Sequence, residues 1–467
     1  MMNYPLYKKN IFLIITLMVI DGTGQSLENK KIAGYKPIWF ELNQKYEYGD
    51  KYSGALSTYT AKHHPLAIYA DEVDKTFFVY GGTKSPKSKH LLCMIGEYDH
   101  SSGLLSQPLV VCDKMGVDDP HDNPSILIDD QGFIWVFVSG RGKVRMGFKY
   151  KSKKPYSIEG FEKITTEEMT YPQPKKIGTT FFNFFTKYTG VRQLYFEKSK
   201  NGIQWSEDRL LAAIPEKKDQ KSGHYQISAQ YQEKKMGTFF NRHPNGNVDN
   251  RTDLYYLETK DLGETWTTAD QKSISFPVTK KNSHSRVVDY ASLKKNIYLK
   301  DMVFDSKGRP ICLYIRSKGH KPGPENQPYE WCITKWNGFK WTTHTITNSD
   351  HNYDMGSLFF YKEELYIVAP TEIGPQKWGV GGELQIWKSR DLGTHWVKEK
   401  DLTYKSRMNH SYVRKSENFK APFVFFWANG DAHQFSKSEL FFGNLKGEIW
   451  KFPYFMENEF ELPQQIE

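Results

Sequence analysis

A turn motif that recurs along the chain constrains its fold more than any other feature. It stands at Ser199-Lys-Asn-Gly-Ile-Gln-Trp205, Thr259-Lys-Asp-Leu-Gly-Glu-Thr-Trp266 and Ser389-Arg-Asp-Leu-Gly-Thr-His-Trp396. Asp or Asn bonds the backbone two residues on, Gly accepts a positive φ, and the Trp packs under the hairpin that the turn closes. Trp205 and Trp266 lie about 60 residues apart and Trp266 and Trp396 about twice that, so one unit is expected between the last two. A degenerate Trp336-Asn-Gly-Phe-Lys-Trp341 fills the gap. Over the chain that follows the N-terminal leader, this period gives about seven units, and four-stranded units arranged radially form a propeller. The expected fold is therefore all-β: a seven-bladed β-propeller of four-stranded antiparallel blades.

Composition agrees where it bears on this. Aromatic residues make up 15% of the chain, with 35 glycines. Short runs such as Phe77–Tyr80, Ile134–Val138, Leu254–Leu257, Ile311–Ile315 and Phe423–Trp427 read as blade strands, and no long amphipathic helix is visible. No linker or low-complexity stretch divides residues 35–460.

At the N-terminus, Lys8 and Lys9 precede an apolar run from Ile11 to Ile20 that is too short to span a bilayer. Residues 1–25 therefore read as a secretory signal peptide and residues 26–467 as one propeller domain. The mature protein is expected to be secreted or periplasmic, with no membrane insertion.

The formal charge of +10 is spread through Lys-rich loops, such as Lys149–Lys154 and Lys217–Lys221, that ordinarily form a solvated face. For an exported propeller, this sign favours an anionic polysaccharide or its oligosaccharides as partner, and no nucleic acid. Oligomeric state is not readable. The four cysteines, Cys93, Cys112, Cys312 and Cys332, form no Cys-x-x-Cys pair and read as buried thiols. The chemistry below needs no cofactor. A structural zinc could use Cys312 or Cys332 with His284 or His344, and the turn Asn247–Asn250 has the oxygen-rich composition of a structural calcium site.

Polar residues gather in dense, non-repeating groups at Lys62-His-His-Pro65, Asp119-Pro-His-Asp-Asn-Pro124, Ser222–Ser228, Asn241–Gly246 with Asn250-Arg251, and Asn409–Arg414. A His beside Asp, Asn, Tyr or Arg suits proton transfer, and propeller loops converge on one mouth of the channel. No phosphate-binding loop, dinucleotide motif or zinc-protease helix is present. The Asp-box turns are shared with sialidases, but the motifs around Arg192, Arg242, Arg251 and Arg414 are not of that family.

Asp119–Pro124, Tyr171-Pro-Gln-Pro174, Gly223–Ser228, Arg251–Thr259, Asn352–Ser357, Pro370–Pro375 and Asn409–Arg414, taken in order, resemble the propeller family that contains ulvan lyases. The same family resembles the α-L-rhamnosidases acting on rhamnose–glucuronic acid linkages. The resemblance implies β-elimination at a uronate: a cation neutralises the carboxylate, a base takes the C5 proton and an acid protonates the leaving oxygen at C4. It implies His121 as base or acid with Tyr225 as its partner and Arg242 as neutraliser. Tyr188, Arg192 and His224 complete the subsite, Arg251 supplies a further cation, and the choice between Tyr225 and Tyr188 stays open. Lyases of this kind carry a second His in a Ser-x-His-Gly turn, whereas this chain has Ser139-Gly-Arg-Gly142. Arg141 cannot act as a base but can bind a carboxylate. The alternative, an exo-acting rhamnosidase, would use a first-blade His on the opposite face, His63 or His64. A propeller that binds acidic polysaccharide without cleaving it is a third reading.

Overall fold

The computed structural model describes residues 26–56, 63–188, 190–217 and 220–466. The leader at residues 1–25 lies outside the described residues. Seven antiparallel blades follow one another along the chain, the first and last merged into one sheet, which is the seven-bladed propeller expected from the repeat. Their innermost strands are Ala67–Ala70, Pro124–Ile128, Thr170–Ile177, Gln226–Tyr231, Asn296–Phe304, Ser357–Tyr361 and Asn409–Lys420, for blades 1 to 7. Each pairs with the next strand outward in simple hairpin order, as in blade 2, where Ile134–Val138, Gly147–Ser152 and Phe161–Glu167 follow Pro124–Ile128. The outer edges of blades 1 and 4 differ: Leu105–Ser106 and Leu109–Asp113 both pair with Leu92–Asp99, and Trp266–Thr267 and Arg286–Val288 both pair with Thr252–Thr259.

The ring closes where the inner strands of blades 1 and 7 pair in parallel, Ala67 with Ser416 and Ile68 with Glu417. Both ends of the chain brace this seam. Ile38–Glu41 pairs with Ser436–Lys437 of blade 7, and Lys31 bridges to Leu109 of blade 1. At the other end, Phe460–Glu461 joins Leu105–Ser106 of blade 1, while Gln464–Ile466 extends blade 7.

The repeated turns are built as their sequence dictates. In the first, Ser199 Oγ accepts from Gly202 N at 2.9 Å, Asn201 Oδ1 accepts from Ile203 N and Gln204 N at 2.9 Å, and Trp205 Nε1 donates to Gly202 O at 2.7 Å. The turn docks on the preceding blade: Gly202 has φ +72°, and a Cβ there would stand 2.5 Å from Trp135. The degenerate turn keeps only the local half of this device. Asn337 Oδ1 accepts from Phe339 N and Lys340 N at 2.9 Å, but a Cβ at Gly338 would meet nothing and Phe339 is 91% exposed. Between blades the core is aromatic, with Trp39, Trp135, Trp266, Trp331 and Trp427 fully buried. Burying each such side chain stabilises the ring by about 2 kcal/mol or more. Among the described residues, no helix is long and apolar enough to cross a membrane.

Candidate active site

The residues that precede each inner strand, and the loops between the second and third strands of each blade, meet at one mouth of the channel. Blades 2, 3 and 4 build the polar cluster there. The loop before the inner strand of blade 2 forms a short 3-10 turn, Pro120–Asp122, capped by Asp119, whose Oδ1 accepts from His121 N at 2.9 Å. The same Oδ1 lies 2.5 Å from His121 Nδ1. Asp119 Oδ2 accepts from Arg141 at 3.1 Å and from Arg145 at 2.7 Å, both on the loop between Ile134–Val138 and Gly147–Ser152. Beneath them, Asp122 pairs with Arg145 Nε at 2.7 Å and Lys114 Nζ at 2.5 Å.

Burial alone would raise the Asp119 carboxyl, but His121 and Arg145 hold it well below the usual carboxylate range. Burial lowers the His121 pKa, and the Asp119 hydrogen bond only partly offsets this. Neutral His121 therefore donates Nδ1–H to an ionised Asp119 and carries its lone pair on Nε2.

Blade 3 supplies Tyr171, Tyr188 and Arg192. The Tyr171 and Tyr188 hydroxyls are 3.0 Å apart, and the Tyr188 ring stands edge-on to His121 with centroids 6.0 Å apart. Tyr188 is half-buried, while Tyr171 and Tyr225 are each 1% exposed. The Arg192 guanidinium lies 5.9 Å from both the Tyr188 and Tyr225 rings. Its NH2 donates to Gly246 O at 2.6 Å, its buried Nε has no partner, and no carboxylate pairs with it among the described residues.

The two candidate phenols are driven apart. Burial pushes the Tyr188 hydroxyl well above its ordinary pKa. Burial also pushes Tyr225 up, but Arg192, Arg251 and hydrogen bonds from Tyr188 and Tyr171 outweigh it and leave its pKa lowered. A pair of titratable groups separated in this way divides into a proton holder and a proton acceptor.

Several predicted residues take supporting places. Arg242, read as the neutraliser, is 4% exposed and locked on Asp253 Oδ2, at 3.0 Å through Nε and 2.9 Å through NH2, with a further bond to Glu216 at 2.5 Å. Its charge is already spent within the protein. Arg251 is fully buried, its guanidinium 4.8 Å from Tyr225, 4.6 Å from Tyr298 and 5.0 Å from Tyr353, so it acts on the phenols rather than on a bound ligand. His224 uses both ring nitrogens on backbone: Nδ1 donates to Asn241 O at 2.9 Å and Nε2 accepts from Ile214 N at 3.1 Å. Burial lowers its pKa to about 4.

His63 and His64 point to opposite ends of the channel. His63 is fully buried behind the polar cluster, Nε2 bonding His121 O at 3.0 Å and the ring 5.2 Å from Tyr171. His64 pairs with Glu417 at 3.0 Å on the other side. Glu417, Lys175 and Lys415 line a cavity of about 650 Å³ at the mouth where the inner strands end. Burial lowers His64 to about 4 and Lys175 to about 8.

Asp119, Arg145 and Tyr171 carry the architecture of the site, although the sequence alone assigns none of them a role of its own. Asp119 could have been found as an N-cap two residues before His121, whereas Arg145 offered no signal beyond a basic loop. No group of three or more metal-binding side chains gathers among the described residues. All four cysteines are buried free thiols.

Fold and mouth together define a repeat-built propeller with its polar machinery at one end of the channel. Residues 70–349 match the BNR repeat-containing family, and the chain belongs to that family. It is similar to the ulvan lyase "Ulvan Lyase-PL25" of Pseudoalteromonas sp. strain PLSV, 21% identical over 73% of this chain and 75% of that protein. It is also similar to an ulvan lyase of Alteromonas sp. strain LOR, 22% identical over 60% of this chain and 63% of that one. Among solved structures, a polysaccharide lyase described as a PL25 ulvan lyase bound to -[GlcA(1-4)Rha3S]- superposes with a TM-score of 0.70, at 17% identity, covering 89% of this chain and 96% of that one. Its counterpart described without that ligand gives 0.69 at 18% identity, over 85% and 95% of the two chains. These likenesses establish the propeller.

Proposed function

We propose that this protein is a polysaccharide lyase that cleaves a rhamnose- and uronate-containing anionic polysaccharide of the ulvan type by β-elimination. The carrying observation is Arg192: a half-buried arginine with no acidic partner among the described residues, near two tyrosines, one of which stands edge-on to the oriented His121. Such a cation suits a uronate carboxylate, and pairing with it makes the C5 proton acidic.

His121 takes that proton on Nε2, its tautomer and ring orientation fixed by Asp119. Tyr188, held protonated by burial, donates to the leaving oxygen at C4. Tyr171 and Tyr225 stand behind it as hydrogen-bonded phenols, and the cycle closes when His121 releases the C5 proton to solvent and Tyr188 regains one from it. Arg141, half exposed at 50%, takes the place of a second histidine and contributes charge rather than base chemistry. The similarity to ulvan lyases supports the substrate class, and the net positive charge is in keeping with it. Action outside the cell, after removal of residues 1–25, belongs to the same proposal.

A second reading is favoured by one observation: the His64–Glu417 pair behind the cavity at the other mouth. There a hydrolase would release rhamnose from glucuronic acid. Incubation with ulvan separates the readings. Elimination leaves a conjugated C4–C5 double bond that absorbs in the ultraviolet, while hydrolysis gives free rhamnose and no such absorbance. Neither product would leave a binding protein.

A further inference from the structure

Cys93 and Cys112 stand directly opposite each other on adjacent antiparallel strands of blade 1, Leu92–Asp99 and Leu109–Asp113. Opposed residues in such a ladder have Cα atoms about 4.5 to 5.5 Å apart, inside the span that a disulfide requires. Both side chains are buried, at 2% and 1% exposure. Residues directly opposed in a ladder share one face of the sheet, and Cys93 Sγ reaches Asp122 O at 3.4 Å, so both turn toward blade 2. The other two cysteines lack this arrangement, because Cys312 faces Thr334 and Cys332 faces Tyr314.

We propose that Cys93 and Cys112 are the site of a cross-strand disulfide that staples the outer half of blade 1. The oxidant is a low-molecular-weight or protein disulfide. One cysteine thiolate attacks it and releases one thiol; the second attacks the resulting mixed disulfide and releases the other. The two protons lost by the cysteines end on the two released thiols, and the two electrons reduce the oxidant.

The position gives the staple a reach beyond blade 1. Cys93 supports the carbonyl of Asp122, the last residue of the turn that carries His121, and Asp122 binds the Arg145 that also holds Asp119. Closing the disulfide removes the S–H donor from that carbonyl and fixes the strand beneath it.

The test uses the full chain, equilibrated with oxidised glutathione or with dithiothreitol, then unfolded and alkylated for intact-mass and peptide analysis. After oxidised glutathione, alkylation is expected at Cys312 and Cys332 only, with a peptide pair joining Cys93 to Cys112; after dithiothreitol, all four cysteines alkylate. Four alkylated cysteines under both conditions would overturn the proposal, as would glutathione retained on Cys93 or Cys112 or a link through Cys312 or Cys332. The oxidised protein should also unfold at a higher temperature than the reduced one. The same rise in Cys112→Ser would show that it has another cause and count against the staple.

Discussion

His121 and Asp119 share a short contact, 2.5 Å from Nδ1 to Oδ1, while the same carboxylate holds Arg141 and Arg145 through its other oxygen. One side chain thus sets the tautomer of the proposed base and the position of two cations. His121→Ala is expected to lower turnover by about a hundredfold to ten-thousandfold. Asp119→Asn should also slow turnover, and leave Arg145 paired only through Asp122. Initial rates of ultraviolet-absorbing product measure both, and a fully active His121→Ala enzyme would move the chemistry elsewhere.

Arg192 and Arg242 should separate cleanly. Arg192→Ala removes the cation without an acidic partner and is expected to abolish elimination while leaving the unfolding midpoint nearly unchanged. Arg242→Ala strands the buried Asp253, 1% exposed, and should cost about 3 to 5 kcal/mol of stability. Urea unfolding alongside activity distinguishes the roles; matching behaviour of the two variants would contradict them.

Activity should persist further into acid than an ordinary histidine allows. The neutral form of His121 is the working form, and burial lowers its pKa, so neutral imidazole survives below 6.5. The acid limb of the rate–pH profile is expected below that value, and a limb above it would exclude His121 as the base.

Stability has its own acid dependence. His63 and His351 are lowered to about 3, and His64, His224 and His410 to about 4, all by burial, from an ordinary 6.5. The unfolded chain therefore binds protons that the native one refuses. Their contribution is intact above pH 6.5 and is lost as pH falls toward 4, by about 1.4 kcal/mol per histidine per pH unit. Urea midpoints at neutral and mildly acidic pH should show a steep decline between them.

The turn motifs predict unequal effects of one substitution. Gly202→Ala forces a Cβ to 2.5 Å from Trp135 at φ +72° and should cost more than the strained backbone alone, about 2 kcal/mol or above. Gly338→Ala meets no neighbour and should cost only the backbone strain, about 1 kcal/mol. Equal thermal shifts would contradict the docking of these turns between blades.

The propeller and its number of blades were legible because the Asp-box turns repeat at the period of a blade. That polar loops gather was legible too, since Asp119–Pro124, Gly223–Ser228 and Asn241–Gly246 do converge, but the sequence left open which mouth works. Side-chain roles were harder to read. Arg242 and Arg192 look alike in sequence, and only the fold shows that Asp253 and Glu216 neutralise one and leave the other. His63 and His64 are consecutive, yet one bonds the His121 carbonyl and the other pairs with Glu417, a difference that only the folded ring reveals. Arg145 acts on Asp119 and Asp122 from more than twenty residues away, where no local pattern announces it.

The seam between blades 1 and 7 lies only one blade away from the turn that carries His121, and blade 1 itself backs that turn, with His63 bonding the His121 carbonyl and Cys93 the Asp122 carbonyl. Any loosening of the clasp made by the two chain ends would therefore be felt at the candidate site through blade 1. The termini, remote from the chemistry in sequence, thus help to set the shape of the mouth.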